Sequence, residues 1–155
     1  MNDGLLILPI LLPWLVMPWV FRLSLGGWWV VLPAAAGLGI ALTLEPGARL
    51  AMPWLLLGAE WGITELNRAL FLMSALLWTL AAVYLNDSLR HDPRAGRCRV
   101  FFLAAMSGHF LLLLAADALS FYLGFALMGL ATAGLIAHPR SRSASHATFI
   151  YLAFT

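Results

Sequence analysis

The chain has 155 residues, of which 63% are hydrophobic and only 10% are charged. Because a soluble domain carries about 25% charged residues, this composition excludes an ordinary soluble domain and predicts a membrane protein along the whole chain. The net charge of +2 is too small to suggest a nucleic-acid partner. No metal or haem motif surrounds the single Cys98, so no cofactor is predicted.

Apolar stretches divide the chain into helices joined by polar loops, within a single transmembrane domain. The first stretch contains Pro9, Pro13 and Pro18, and a membrane bundle tolerates such a kinked helix where neighbours satisfy the freed carbonyls. The second stretch stops at the turn sequence EPG, residues 45–47. We therefore predict an all-α, polytopic transmembrane helix bundle of five full helices plus the start of a sixth. The helices cover residues 5–21, 28–44, 69–85, 100–116 and 119–137, and the sixth begins at residue 147.

The longest connection, residues 45–68, mixes charged side chains with an apolar run. Residues 53–57 within it are interpreted either as a short strand or as an interfacial segment. Trp54 and Trp61 would then lie at the depth of the lipid headgroups, where tryptophan is enriched.

The fifth predicted helix has a defined start, a defined end and an uncharged middle. Its 19 residues, 119–137, suffice to cross a bilayer core of about 30 Å at about 1.5 Å per residue. Asp117 is predicted to cap its N-terminus, with the carboxylate accepting backbone N–H groups. Small residues recur four apart in two stripes, which predicts close packing on two sides and a central position in the bundle. The stripes are Ala116, Ser120 and Gly124, and Gly129, Ala133 and Ala137.

A sixth apolar segment follows the helix stop that His138 and Pro139 predict. It opens at Ala147 and reaches Thr155 after nine residues. Nine residues are too few to span a bilayer as a helix. We therefore expect a truncated or split polypeptide.

The placement of the arginines predicts the orientation of the helices. Seven of the nine lie in alternate loops, after the first, third and fifth helices. Because cytoplasmic loops carry an excess of Lys and Arg, we place these loops in the cytoplasm and the N-terminus outside. The chain is thus predicted to be a multi-pass protein of a bacterial cell (inner) membrane. The seven are Arg22, Arg90, Arg94, Arg97, Arg99, Arg140 and Arg142, whereas Arg49 and Arg68 lie on the opposite side.

His109, near the middle of the fourth predicted helix, is the candidate for a proton path. An ionisable group at that depth is costly and usually marks a proton or ion pathway. The alternative is a neutral histidine that donates one hydrogen bond to a neighbouring helix. No catalytic residue is predicted, because the chain has no GxSxG, no HExxH, no CxxC pair and no phosphate-binding glycine loop.

The segment ADALSFYLGFALMGLATAGLIAH, residues 116–138, resembles the helix 5 signature of the antiporter-like subunits of respiratory complex I. The same family includes subunits of multi-subunit sodium/proton antiporters, energy-converting hydrogenases and related bicarbonate-uptake complexes. Further matching segments are PWLLLGAEWGITELNRALFLMSALLW entering the third helix, RVFFLAAM opening the fourth and SHATFIYLAFT entering the sixth. The resemblance runs from about Pro53 to Thr155, and the first two helices match in hydropathy and position.

The resemblance implies a longer protein and a missing acid. The family has about fourteen helices, with two inverted five-helix repeats and broken helices at the repeat centres. This chain would supply the N-terminal helices and the opening of the first repeat. The family has a glutamate in the middle of helix 5, within a Phe-Glu-Leu-Met run. Here Ala126 occupies the glutamate position, between Phe125 and Leu127, so the role of that acid is not carried over.

The resemblance implies the N-terminal part of an antiporter-like subunit that takes part in proton or cation translocation within a multi-subunit respiratory, hydrogenase or antiporter complex. Its partners would be the other membrane subunits and the lipid bilayer. It would be at most a non-redox membrane subunit of an NADH:quinone oxidoreductase-like translocase. The alternative is a non-pumping structural subunit of such a complex, which Ala126 favours. A small dimeric multidrug-type transporter is the third hypothesis, and it needs a membrane-embedded carboxylate that these helices lack.

Overall fold

A computed structural model of the chain describes residues 3–22, 28–55, 58–138 and 142–154. Within these ranges the chain is mainly helical, with one two-stranded β-hairpin. Three of the described helices, α4, α5 and α6, are long and apolar enough to cross a membrane, in agreement with a transmembrane helix bundle. The elements are α1 (Leu8–Val16), α2 (Trp19–Arg22), α3 (Val31–Thr43), β1 (Arg49–Met52), β2 (Ala59–Gly62), α4 (Glu65–Ser88), α5 (Ala95–Leu114), α6 (Ala118–Ile136) and α7 (Arg142–Phe154).

The two N-terminal helices are shorter than predicted. The predicted helix 5–21 is divided into a 3-10 turn, Asp3–Ile7, then α1, and then α2 after a turn at Pro18. Pro18 has no N–H group to continue the helical hydrogen bonding. The predicted helix 28–44 consists of the 3-10 turn Trp28–Val30 followed by α3. Within the described ranges, three helices are long and apolar enough to cross a membrane, and these two segments contain shorter apolar helices, so the prediction of five full helices is not confirmed.

The three long helices lie close to the predicted segments. α4 begins four residues before the predicted helix 69–85, and α5 begins five residues before the predicted helix 100–116. The polar residues in these first turns favour loops in the sequence, but both first turns are helical. At the start of α4, the side chains of Thr64 and Asn67 each bond to the other residue's backbone N–H and form a capping box. α6 agrees with the predicted helix 119–137 to within one residue at each end.

An antiparallel hairpin, β1 paired with β2, occupies the connection between α3 and α4. The segment 53–57 is interpreted from the sequence as a short strand or an interfacial segment; its residues 53–55 lie in the connection between the two strands, and residues 56 and 57 lie outside the described ranges. Gly47 and Gly58, which precede β1 and β2, have φ angles of +98° and +103°. Glycine adopts this backbone without the steric cost of a Cβ atom. These two glycines therefore indicate the positions of the strands better than the apolar residues between the strands do.

The hairpin is held against the junction of α5 and α6. The carbonyl of Glu60 accepts a hydrogen bond from the Ala116 amide at 2.8 Å, and the Glu60 amide donates to Asp117 Oδ2 at 2.9 Å. The indole N–H of Trp61 donates to Ser120 Oγ at 3.2 Å, and both side chains are buried. Asp117 Oδ1 accepts the Ser120 amide at 2.8 Å, so the predicted N-cap of α6 is confirmed. One carboxylate therefore ties the start of α6 to the hairpin.

The Asp117 carboxylate is expected to make the stability of the bundle sensitive to acid. Partial burial raises the pKa of Asp117, but hydrogen bonds from Ser120 and from the Glu60 amide outweigh it and hold the pKa below its ordinary value. The unfolded chain therefore binds this proton more readily than the folded chain does. The stabilisation is complete above the ordinary aspartate pKa of about 4 and is lost as the pH falls through the lower folded-state value.

Two substitutions separate the cap from the charge. Asp117→Ala removes both and is expected to lower the free energy of unfolding by about 1 kcal/mol at neutral pH. Asp117→Asn keeps an oxygen that can accept from Ser120, so it retains most of the cap and loses the acid-dependent part. Unfolding followed by tryptophan fluorescence at a series of pH values measures the stability of both variants. Glu45→Gln, which changes an exposed acid, is the control. Unchanged acid sensitivity in Asp117→Asn would contradict this role.

The centre of the bundle is α5, and the prediction of a central fifth helix was wrong. Twelve of the 20 residues of α5 are buried, against five of the 19 residues of α6. α5 contacts α1, α4 and α6, whereas α6 keeps an exposed apolar face. Small residues along a helix indicate that a neighbour comes close, but they do not show how many neighbours the helix has. The exposed face of α6 includes Phe121, Tyr122, Leu123 and Leu130.

The connections alternate between two ends of the bundle, as the arginine pattern predicts. At one end His138, after α6, contacts Asp92 of the α4–α5 loop at 2.7 Å. At the other end the hairpin meets the α5–α6 junction, and the Asn67 side chain donates to the Leu113 carbonyl at 3.2 Å. Which end faces the cytoplasm stays a prediction. The predicted loop residues 23–27 and 139–141, with Arg140, lie outside the described ranges. The sixth helix is predicted to begin at residue 147, but α7 begins five residues earlier, at Arg142.

Candidate functional site

Consecutive residues in the middle of α5 contact different neighbouring helices. Because an α-helix has 3.6 residues per turn, residues 107–110 point in all directions around its axis. Ser107 bonds to α1, and Gly108 packs against the backbone of α6. His109 bonds to α4, and Phe110 packs against both α3 and α4. The predicted proton-path residue therefore lies where the helices of the bundle meet.

His109 faces α4, where its ring is paired with a hydroxyl group. Its Nε2 atom lies 3.2 Å from Ser74 Oγ. The Ser74 hydroxyl can rotate to donate or to accept, so the pair accommodates both neutral tautomers of the imidazole and also the protonated ring. Of the residues that the structure describes, no acidic side chain forms an ion pair with His109. This bond matches the neutral-histidine alternative, and it leaves the ring able to take up a proton.

Aromatic rings pack beside the His109 ring on the same side of α5. The ring centroids of Trp78 and His109 are 6.0 Å apart, with their planes at 82°. The same indole packs edge-on against Phe102 at a centroid distance of 4.9 Å. The His109 side chain is half-buried among these groups. The groups that contact the His109 ring in the described part of the chain are thus aromatic rings and one hydroxyl. Among His109, Ser74, Trp78 and Phe102, only the imidazole is titratable.

Ser107 lies on another side of α5 and connects it with α1. Its Oγ accepts the indole N–H of Trp14 at 2.9 Å and donates to the Ile10 carbonyl at 2.8 Å. The side chain is fully buried, and both functions of its hydroxyl are satisfied, as a buried polar group requires. These two bonds hold the proline-containing helix α1 against the core.

Ala126 does not lie beside His109. It lines a groove of about 360 Å³, together with Gly129 of the same helix and Leu152 of α7. Ala126 is two residues from Gly124, so it lies about 160° around the helix from the residue that touches α5. The structure thus separates the two predicted site positions, because His109 faces α4 and Ala126 faces the groove beside α7.

An unpredicted hydrogen bond joins two connections at the arginine-rich end. His138 Nε2 lies 2.7 Å from Asp92 Oδ2, and Asp92 Oδ1 accepts the Arg94 amide at 2.7 Å. The hydrogen bonds from the Arg94 amide and from His138 hold the pKa of Asp92 below its ordinary value. The two partners are 46 residues apart in the chain, so no local pattern of the sequence reveals the pair.

Two polar contributors to the site, Ser74 and Ser107, were not predicted. Each is a small hydroxyl residue in an apolar helix, which is a weak signal. Serine in such a helix often bonds to a carbonyl of its own preceding turn, so its presence does not predict a contact with another helix. Only the packing of α1, α4 and α5 determines that both hydroxyls bond across helices.

No known protein family and no curated protein matches the chain. In the described part of the chain, no group of three or more His, Cys, Asp or Glu side chains could hold a metal ion. The site therefore offers one imidazole with one hydroxyl partner, between two helices that are long enough to span a membrane. Such a pair can hold or pass a proton.

Proposed function

We propose that this chain is the N-terminal part of an antiporter-like membrane subunit that takes part in proton or cation translocation within a multi-subunit complex. The observation that carries the proposal is the His109–Ser74 hydrogen bond between α5 and α4. The resemblance of residues 116–138 to the helix 5 signature of that family supports it. The partners would be the other membrane subunits of a respiratory, hydrogenase or antiporter complex.

The chemistry of a histidine at this depth supports the proposal. Ionisable residues inside a membrane usually face the interior of a bundle and belong to an ion or proton pathway. His109 is half-buried between α4 and α5, and its hydroxyl partner can follow a change of protonation by rotating. Imidazole changes its charge near physiological pH more readily than any other side chain. His109 would then be the proton carrier of this part of the chain, at a position different from that of the family's helix 5 glutamate.

The proposed orientation places the arginine-rich end in the cytoplasm of a bacterial cell. Arg90 and Arg94 lie there in the α4–α5 connection, and Arg97 and Arg99 lie in the first turns of α5. The positive-inside rule assigns such an end to the cytoplasmic face of the inner membrane. The N-terminal turn contacts β1 at the other end, so the N-terminus and the hairpin would lie outside.

A non-pumping structural subunit is the second candidate function, and Ala126 favours it. A methyl group cannot take up a proton, and the groove beside Ala126 is lined mainly by apolar side chains such as Phe125 and Leu130. In this case the His109–Ser74 bond serves only to hold α4 against α5.

Substitution of His109 discriminates between the two functions. The complex that contains the chain is reconstituted into vesicles, and proton uptake is followed with a pH-sensitive dye. His109→Ala is expected to reduce uptake to background. His109→Gln is expected to do the same, because an amide can bond to Ser74 but does not take up a proton. If His109 has only a structural role, the His109→Gln protein is expected to keep wild-type proton uptake.

Met73→Ala is the matched control for these variants. Met73 precedes Ser74 in α4 and is 57% exposed, so its truncation is expected to leave proton uptake unchanged. The amount of assembled complex, measured on native gels, separates a loss of translocation from a loss of assembly. Wild-type proton uptake with both His109 variants would contradict the proton-carrying role and leave the structural subunit as the function.

A further inference from the structure

A basic cleft lies at the arginine-rich end of the bundle, between the end of α4 and the start of α5. Its volume is about 810 Å³. Arg90 and Arg99 line it, together with the acid Asp87. Leu80 and Trp28 form part of its apolar wall. The cleft thus combines two guanidinium groups with a hydrophobic side.

An apolar groove continues from the basic cleft. It has a volume of about 430 Å³ and follows the start of α3, with Trp29 and Leu32 among its lining residues. Trp28 lines both the basic cleft and the apolar groove, so the two are adjacent. The side chains of Trp28 and Leu32 are 62% and 54% exposed. A site that is basic at one end and apolar at the other matches an amphiphilic ligand.

Two buried side-chain donors lack a hydrogen-bond partner among the described residues, and both belong to this combined site. They are Arg99 Nε and Trp29 Nε1. A buried N–H group without an acceptor is costly, and folded proteins contain few of them. In the described part of the chain, neither Arg90 nor Arg99 takes part in an ion pair. A phosphate in the basic cleft would supply an acceptor for the guanidinium group of Arg99, whereas an acyl chain in the groove offers none for Trp29 Nε1.

We propose that the basic cleft and the apolar groove together bind a phospholipid. Its phosphodiester would lie against Arg90 and Arg99, because guanidinium groups donate paired hydrogen bonds to phosphate oxygens. An acyl chain would follow the groove along Trp28 and Leu32. The charges of Arg90, Arg99 and Asp87 sum to +1, so a lipid with one negative charge, such as phosphatidylglycerol, is preferred to neutral phosphatidylcholine.

The position of the site in the bundle favours a lipid over a free anion. α4 has 24 residues and is about 36 Å long, so its end lies at headgroup depth when the helix crosses a core of about 30 Å. Leu77 and Leu80, on the last turns before that end, are exposed and apolar. A phosphate bound at Arg90 and Arg99 therefore has a hydrophobic helix surface next to it for its acyl chains. This site does not depend on proton translocation.

Native mass spectrometry tests the proposal on the full chain, extracted in mild detergent with any subunits that stay bound. The protein is offered phosphatidylglycerol, phosphatidylcholine or inorganic phosphate. Phosphatidylglycerol is expected to stay bound to the wild-type protein in the mass spectrometer. Arg90→Gln and Arg99→Gln are each expected to weaken its binding about tenfold, because each removes about one charge-assisted hydrogen bond. Arg94→Gln is the matched control, because this exposed arginine of the same loop lines a different cleft.

Several outcomes would overturn the lipid site. Wild-type binding of phosphatidylglycerol in Arg90→Gln and Arg99→Gln would do so, and an equal loss in Arg94→Gln would indicate only diffuse attraction. Binding of inorganic phosphate alone, or displacement of the lipid by excess phosphate, would favour a free anion. Equal binding of phosphatidylcholine would contradict the charge assignment. Circular dichroism reports folding, and Arg90→Gln decides the question if Arg99→Gln does not fold, because Arg90 is exposed.

Discussion

Replacing Gly108 with alanine is expected to push α5 away from α6 and to lower the free energy of unfolding by about 1–3 kcal/mol. A Cβ atom at position 108 would lie 2.6 Å from the Met128 backbone nitrogen and 2.9 Å from the Gly124 carbonyl oxygen. Both are backbone atoms of α6 that cannot rotate away, so the helices must shift. Alanine favours a helix over glycine by about 1 kcal/mol, so a net destabilisation would show that the close contact outweighs helix propensity.

Gly39→Ala in α3 is the matched control for this variant. Nothing lies within 4 Å of a Cβ atom added at Gly39, so the substitution is expected to leave the stability unchanged or to raise it slightly. Unfolding in SDS, followed by tryptophan fluorescence, measures both proteins. Equal effects of Gly108→Ala and Gly39→Ala would contradict the close approach of α5 and α6.

The same contact can be tested from the other helix. A Cβ atom at Gly124 would lie 2.7 Å from the Leu112 backbone nitrogen and 2.9 Å from the Gly108 carbonyl oxygen. Gly124→Ala should therefore separate the same interface. Because the two substitutions share their contacts, the double variant is expected to cost less than the sum of the single variants.

Phe110→Ala is expected to produce the other large loss of stability, about 3 kcal/mol. The Phe110 ring is fully buried and packs edge-on against Phe71 at a centroid distance of 5.1 Å. A Cβ atom at Gly37 would lie only 3.0 Å from the same ring, so α3 also closes on it. Truncation leaves a cavity between α3, α4 and α5. When the helices separate within a membrane, the phenyl ring stays in lipid and is not transferred to water. The substitution therefore removes packing contacts only, and the expected loss of stability lies at the low end of the range for buried Phe→Ala substitutions.

Phe121→Ala is the control for the loss of a phenyl ring. Phe121 lies on the outer face of α6 and is 50% exposed, so its truncation is expected to have a small effect. SDS-induced unfolding again measures the difference, and Phe110→Leu, which fills part of the cavity, should be intermediate. A Phe110→Ala protein as stable as Phe121→Ala would contradict the central place of this ring.

Local patterns were sufficient for much of α6. Its apolar run and the aspartate before it predicted a helix at residues 119–137 with Asp117 as N-cap, and the helix is Ala118–Ile136 with that cap. Both features depend only on residues that are close together in the sequence, so they can be recognised without knowledge of the fold. The same holds for the existence of α4 and α5, whose hydropathy marks them, although their polar first turns were assigned to loops.

Contacts between distant residues could not be predicted in this way. The hairpin meets α6 through Glu60 and Asp117, which are 57 residues apart, and His138 meets Asp92 across 46 residues. The hydrogen bond of His109 to Ser74 spans 35 residues. Each pair forms only because elements from separate parts of the chain are packed side by side, and no periodicity within one element carries that information.

Hydropathy and composition alone predict helices that are long and apolar enough to cross a membrane, and the structure contains three of them. Apolar length is a property of each segment by itself. The arginine pattern likewise predicted that the connections alternate between two ends, and the contacts of Asp92 and Asn67 agree with it. Only the packed structure placed α5 rather than α6 at the centre and turned His109 towards α4. The reason is physical: a small residue permits a close approach, but which helix makes that approach depends on all the other helices at once.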